Sequence, residues 1–121
     1  MEDFEIISSY TAAQAEEDGI LVNVSDLAAE VGIKWTTRIS IGVHQLCTPP
    51  KSNKIQSYTG RLWDVLFLAK RAITAAKNNN RPVSWLIAFK VKIGREIHQM
   101  WATVDSTMGE PAIHIILPEE Y

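Results

Sequence analysis

Trp85-Leu86-Ile87-Ala88-Phe89-Lys90-Val91-Lys92-Ile93-Gly94-Arg95-Glu96-Ile97-His98-Gln99-Met100-Trp101-Ala102 decides the fold, because apolar and polar residues alternate through Phe89-Lys90-Val91-Lys92-Ile93 up to a single glycine. Period-two alternation marks a half-buried strand, and the glycine marks a reversal. The stretch predicts strands over about 83–92 and 95–105, and a third, antiparallel to the second, over about 111–117. With Ile93-Gly94 in the turn, opposed residue numbers sum to 187. Phe89 then faces His98, Ile87 faces Met100, and Trp85 faces Ala102. One face of this sheet carries Trp85, Ile87, Phe89, Val91, Met100, Ala102, Val104, Ile113, Ile115 and Leu117, a coherent core face. The other mixes basic and apolar groups: Leu86, Lys90, Lys92, Arg95, Ile97, Trp101, His114 and Ile116.

Outward from the hairpin, the preceding segment supplies the partner for the core face. From about Thr59 to Lys77, Leu62, Val65, Leu66, Ala69, Ile73 and Ala76 recur at helical spacing, and Asn78-Asn79-Asn80 followed by Pro82 ends the run. Trp63, Phe67 and Leu68 lie off that stripe, so cover is expected on more than one side of the helix. Residues 36–47 are ambiguous between a β-rich stretch (Thr36, Thr37, Ile39, Ile41, Val43) and a helix capped by Ser40. Thr48-Pro49-Pro50 stops either one, and we favour a helix ending near Cys47. Further upstream, Thr11 with Gln14 has capping-box spacing for a short helix to Asp18, with Gly19 as its stop. Ile20 to Val24 reads as a buried strand, and Ser25 as the cap of a second short helix carrying Leu27, Ala28 and Val31 before Gly32. The fold expected is α+β in one domain spanning residues 1–121: short N-terminal helices, then one long central helix packed on a three-stranded antiparallel C-terminal sheet.

At 121 residues and 46% apolar content, such a chain buries roughly two-thirds of its unfolded surface without disulfides or metals. The lone Cys47 excludes an intrachain disulfide framework. The acidic start Met1-Glu2-Asp3-Phe4-Glu5 lacks the apolar run of a secretory signal, which points to the cytoplasm. No stretch has the ~18 uninterrupted apolar residues of a membrane span.

Charge is sorted along the chain. Residues 1–32 hold eight carboxylates and no Lys or Arg, residues 33–95 hold all twelve Lys and Arg against Asp64 alone, and residues 96–121 hold the other five carboxylates. Such asymmetry within a near-neutral total marks an interaction surface, or blocks that pair with each other inside the fold. The basic block offers Lys70, Arg71, Lys77, Arg81, Lys90, Lys92 and Arg95, with Trp101 and His114 as neighbours that could stack a base. The overall pI near 5.9 is far from that of a dedicated nucleic-acid binder. The basic middle equally argues against a DNA mimic, which needs dense negative charge.

Arg61 and Asp64 sit at i, i+3 in the first turns of the long helix, either as an anion site at a helix N-terminus or as a surface ion pair with Trp63 packed nearby. Trp63, Phe67 and Lys70 form a flank stripe, a partner groove or simply a covered helix face. Catalytic chemistry is not signalled. His44 and Cys47 at i, i+3 make half of a zinc site whose other half is missing, and a Cys-His nucleophile pair has no local signature. Neither a Walker loop, a Gly-x-Gly-x-x-Gly cradle nor a Gly-x-Ser-x-Gly elbow occurs. The expectation is a non-enzyme without cofactor or metal.

Three blocks carry a resemblance. Ser9-Tyr10-Thr11 through Gln14-Ala15 and Glu17-Asp18-Gly19-Ile20-Leu21-Val22 to Val24-Ser25, then Thr59-Gly60-Arg61-Leu62-Trp63-Asp64-Val65-Leu66, then Gly109-Glu110-Pro111-Ala112-Ile113-His114-Ile115 resemble a family of small proteins carried on bacterial plasmids, integrative elements and phages. That family has no agreed activity or cofactor, and its members often have a longer polar insert at the position of Lys51 to Ser57. The resemblance implies a mobile-element accessory role, including interference with a host defence system. The expected function is therefore a protein-binding module whose partner is a host or element-encoded protein. A nucleic-acid-binding accessory protein using the basic 61–95 block is the alternative, and a small enzyme ranks third.

Overall fold

Ile93 is buried in the computed structural model of the chain, so the reversal falls one residue later than the sequence reading places it. Gly94, at φ +63°, and Arg95 form the two-residue turn, with glycine where the primed hairpin turns need positive φ. The strands are β3 (Ile87–Ile93) and β4 (Glu96–Asp105), and the opposed pairs are Ile87 with Ala102, Phe89 with Met100, and Lys92 with Ile97. The expected pairing of Phe89 with His98 and Trp85 with Ala102 is thus corrected by two positions in the sum. A shift of two leaves every side chain on its expected face, so the division into core and open faces survives the error in register. The structure describes residues 14–15, 18–51, 57–78, 86–105 and 111–120.

Among the described residues the sheet has five strands, not three, and is mixed rather than antiparallel. Its order is β1-β2-β5-β4-β3, with β1 (Leu21–Asn23), β2 (Thr36–Ser40) and β5 (Ala112–Ile116) added to the hairpin. The expected meander β3-β4-β5 is present as one side of it. Beyond β5 the chain brings β2 alongside in parallel, Thr37 beside Ile113 and Ile39 beside Ile115, and β1 pairs antiparallel to β2. Covering the β5 edge removes a row of unpaired backbone groups, which a three-stranded sheet leaves open.

The ambiguity over residues 36–47 resolves as both readings in succession. Thr37 and Ile39 are buried at period two, then Val43 and Cys47 are buried at i, i+4 in helix α2 (Ile41–Cys47). Ser40 is the switch: its hydroxyl accepts from the Val43 amide at 3.2 Å and caps α2, worth about 1 kcal/mol. The same hydroxyl donates to the Glu120 carboxylate, which also accepts from the amides of Gly42 and Leu117 and so ties a closing 3-10 turn (Pro118–Glu120) to the start of α2. A Cβ on Gly42 would lie 2.6 Å from that carboxylate, so the clasp needs glycine here.

Helix α1 (Ser25–Val31) follows β1, but Ser25 does not cap it. Val24 holds the cap position, and the Ser25 hydroxyl accepts from the Thr37 amide of β2 at 3.0 Å. Gly32, at φ +105°, ends α1 as expected and returns its amide to Ala28 and Ala29. The proposed helix over residues 11–18 lies largely outside the described residues, where Gln14 and Ala15 are helical.

Helix α3 (Tyr58–Asn78) packs on β3 with Leu62, Val65, Leu66, Ala69, Ile73 and Ala76 buried, the stripe read from the sequence. Each large member contributes about 1.5–3 kcal/mol of burial. The core joins this stripe to Ala28 and Val31 of α1, Val43 and Cys47 of α2, and the sheet positions Ile39, Phe89, Val91, Ile93, Met100, Ala102, Ile113 and Ile115. All those sheet residues share one face. No helix among the described residues is long and apolar enough to cross a membrane.

Candidate functional site

The residues between those core positions make a second sheet face that no helix among the described residues closes. Register places Asn23, Arg38, His114, Thr103 and Trp101 on it, together with Ile116, Ala88, Gln99, Lys90, Ile97 and Lys92. Neither Trp101, Ile116, Ile97 nor Ala88 belongs to the core cluster, although all four are apolar. Ile97, beside the hairpin turn, is 69% exposed, and Leu86 beside the first residue of β3 is exposed as well.

The chemistry across this face is graded. At the hairpin end Lys90 and Lys92 are exposed, with Gln99 and Ile97 opposite them and Arg95 exposed at the turn. Toward the middle, Trp101 is half-buried and paired with Ile116. Toward β2, Arg38 brings its guanidinium to 3.4 Å from His114 Nε2, and Thr103 donates to the His114 carbonyl at 3.4 Å. A guanidinium only donates, so His114 Nε2 accepts there. Sequence reasoning missed Arg38. Its alternation with Thr37 and Ile39 was the available signal, hidden by assigning residues 36–47 to one helix.

The remaining candidates do not join this face. Lys70 is half-buried on α3 and donates to the Val31 carbonyl at 3.2 Å, neutralising the C-terminal end of α1. Lys77 lies exposed in the last turn of α3, and Arg71 is exposed on the same helix. Arg81 lies outside the described residues. The basic block is therefore divided between the open sheet face and the helical layer, because β3 turns Lys90 and Lys92 away from α3.

Arg61 and Asp64 form no ion pair. Arg61 donates to the Leu46 carbonyl at 3.1 Å, which closes the end of α2, and Asp64 is exposed. Trp63 and Phe67 stack on each other with centroids 5.2 Å apart and planes 11° from parallel. Both are 39% exposed, so the expected second cover over this flank is absent among the described residues. Leu68, by contrast, does pack against the core.

Cysteine chemistry is disfavoured by placement. Burial pushes the Cys47 thiol up to about 11, with the Arg61 guanidinium pulling the other way, so at neutral pH it is a protonated, enclosed thiol. His44 turns its Nδ1 to the Tyr58 hydroxyl at 2.7 Å, with the rings edge-on at 5.0 Å. Burial, reinforced by Cys47, raises the Tyr58 phenol above its ordinary value. Among the described residues, no three His, Cys, Asp or Glu side chains converge to hold a metal ion.

Compared with known proteins, the chain matches no family model, no curated protein and no solved structure at a significant level.

Proposed function

We propose that the chain is a non-enzymatic protein-binding module whose partner docks on the sheet face opposite the core. The observation that carries this reading is the uncovered Ile97, with Trp101 and Ile116 beyond it and Lys90, Lys92 and Arg38 flanking them. An apolar centre with an aromatic anchor and a charged rim is the composition of a protein interface. The basic rim suits a partner with acidic residues around an apolar patch, and would speed and orient its approach. The three sequence blocks that resemble mobile-element proteins support taking the partner to be a host or element-encoded protein, including a component of a defence system.

A nucleic-acid reading has its own observation. Lys90, Lys92, Trp101 and His114 share one face, with cations to meet phosphates and an indole to stack a base. Capture on immobilised wild-type chain from a nuclease-treated bacterial lysate separates the two. A retained protein that is lost with Ile97→Asp, in a variant that still melts cooperatively, supports the protein-binding reading. Retention that disappears on nuclease treatment overturns it in favour of nucleic acid.

A further inference from the structure

On the helical side of the sheet, α3 and the segment after α1 enclose a groove of about 250 Å³. Lys34, Lys70 and Lys77 line it, together with Trp35 and Thr74, and none of the described residues lining it is a carboxylate. Its floor is apolar, formed by the buried Ile33, Ile73 and Ile113. Three lysines from two separate segments are thus gathered over an apolar base, and like charges so placed repel unless an anion joins them. Lys70 has a carbonyl partner in Val31, whereas Lys34 and Lys77 make no ion pair with a described residue. Lys70 Nζ passes close to the backbone at Gly32, 2.5 Å from where a Cβ would stand.

Size and lining narrow the ligand. About 250 Å³ is below the ~300–1,000 Å³ range of pockets that enclose a drug-sized molecule. The groove therefore fits a small anion with a compact body, part of which stays in solvent. Lysines serve as point-charge phosphate binders, the Thr74 hydroxyl can donate to a phosphate oxygen, and the half-buried Trp35 offers an aromatic surface beside them. We infer that this groove is a binding site for a nucleoside 5′-phosphate, with the phosphate held by Lys34, Lys70 and Lys77 and the base against Trp35. This site is separate from the open sheet face, and its occupancy does not depend on the partner proposed for that face.

Isothermal titration of the full chain with adenosine 5′-monophosphate, adenosine and inorganic pyrophosphate tests the inference. Saturable one-to-one binding of the monophosphate is expected, with adenosine and pyrophosphate each at least about tenfold weaker. Lys34→Gln and Lys77→Gln alter exposed side chains that the fold does not need, and each should weaken the monophosphate about fivefold or more. Trp35→Phe should weaken the monophosphate while leaving pyrophosphate unchanged. A Lys90→Gln/Lys92→Gln double variant should bind like wild type. The inference is overturned by absence of saturable monophosphate binding, by pyrophosphate binding as tightly as the monophosphate, or by loss only in the Lys90/Lys92 variant.

Discussion

Along β3 and β4, alternate residues belong to two different environments. Phe89, Val91, Ile93, Met100 and Ala102 enter a core closed by α1, α2 and α3, while Lys90, Lys92, Ile97 and Trp101, on the same strands, lie outside it. Backbone pairing is common to both sets, so the difference isolates what the covering layer does. On the covered side, a strand residue is fixed by packing volume. On the open side the described residues leave Ile97 69% exposed, and it is the docking surface proposed above that would give this isoleucine a role.

The largest test of this contrast is a pair of neighbours. Phe89→Ala removes a buried aromatic from the covered face and should cost about 3–5 kcal/mol in a urea melt. Lys90→Ala, one residue on and across the sheet, should stay within about 0.5 kcal/mol of wild type. Ile97→Ala should behave like the lysine rather than the phenylalanine, despite its hydrophobicity. Equal costs for Phe89→Ala and Ile97→Ala would mean that the open face is packed in solution, and the contrast between the faces would collapse.

The contrast also explains how much was legible beforehand. Face assignment was legible because period-two patterning survives a register shift of two, and the apolar stripe of α3 was legible because six residues repeat at helical spacing. The turn position was not, since Gly94 serves equally well as the first or second turn residue and only the burial of Ile93 decides. The parallel joining of β2 to β5 links residues more than seventy positions apart, and no local pattern encodes such a pairing. Residues 36–47 misled because a strand and a helix meet at Ser40 without a glycine or proline between them. As for the candidate site, Lys90, Lys92, Trp101 and His114 were found together by face. Arg38, Lys34 and Trp35 were missed because each owes its neighbours to tertiary contact.

A smaller effect should come from the enclosed end of the covered side, where Cys47 lies. Its folded thiol sits at about 11 against an ordinary 9.0, so above pH 9 the unfolded chain loses a proton that the folded chain keeps. Stability contributed by the neutral thiol is therefore fully present below pH 9 and lost as pH rises through 11, on the order of 2 kcal/mol in all. Tyr58, raised in the same direction, extends the loss to higher pH. Urea midpoints taken from pH 8 to 11 should fall for wild type and fall less steeply for Cys47→Ala, after allowing for the lower starting stability of the variant. A parallel decline in both would place the thiol in contact with solvent and weaken the distinction between a dry side and a wet one.

The smallest effect carries a sign that separates two accounts of the basic residues. If the acidic N-terminal block neutralises the lysines of the helical layer, Lys77→Gln removes an attraction and lowers stability. If the groove is instead kept for an external anion, the same substitution relieves repulsion among Lys34, Lys70 and Lys77 and raises stability. The absence of an ion pair on Lys77 among the described residues leads us to expect the second sign. The change should be up to about 0.5 kcal/mol at low ionic strength, within the range measured for exposed charges. It should fade as salt brings the screening length below about 8 Å. Adding a phosphate-bearing ligand should reverse the order, stabilising wild type more than the variant, because only the intact lysine set gains from the anion. A destabilised Lys77→Gln at low salt, with no such reversal, would return the lysines to internal pairing and leave the open sheet face as the sole candidate surface of the chain.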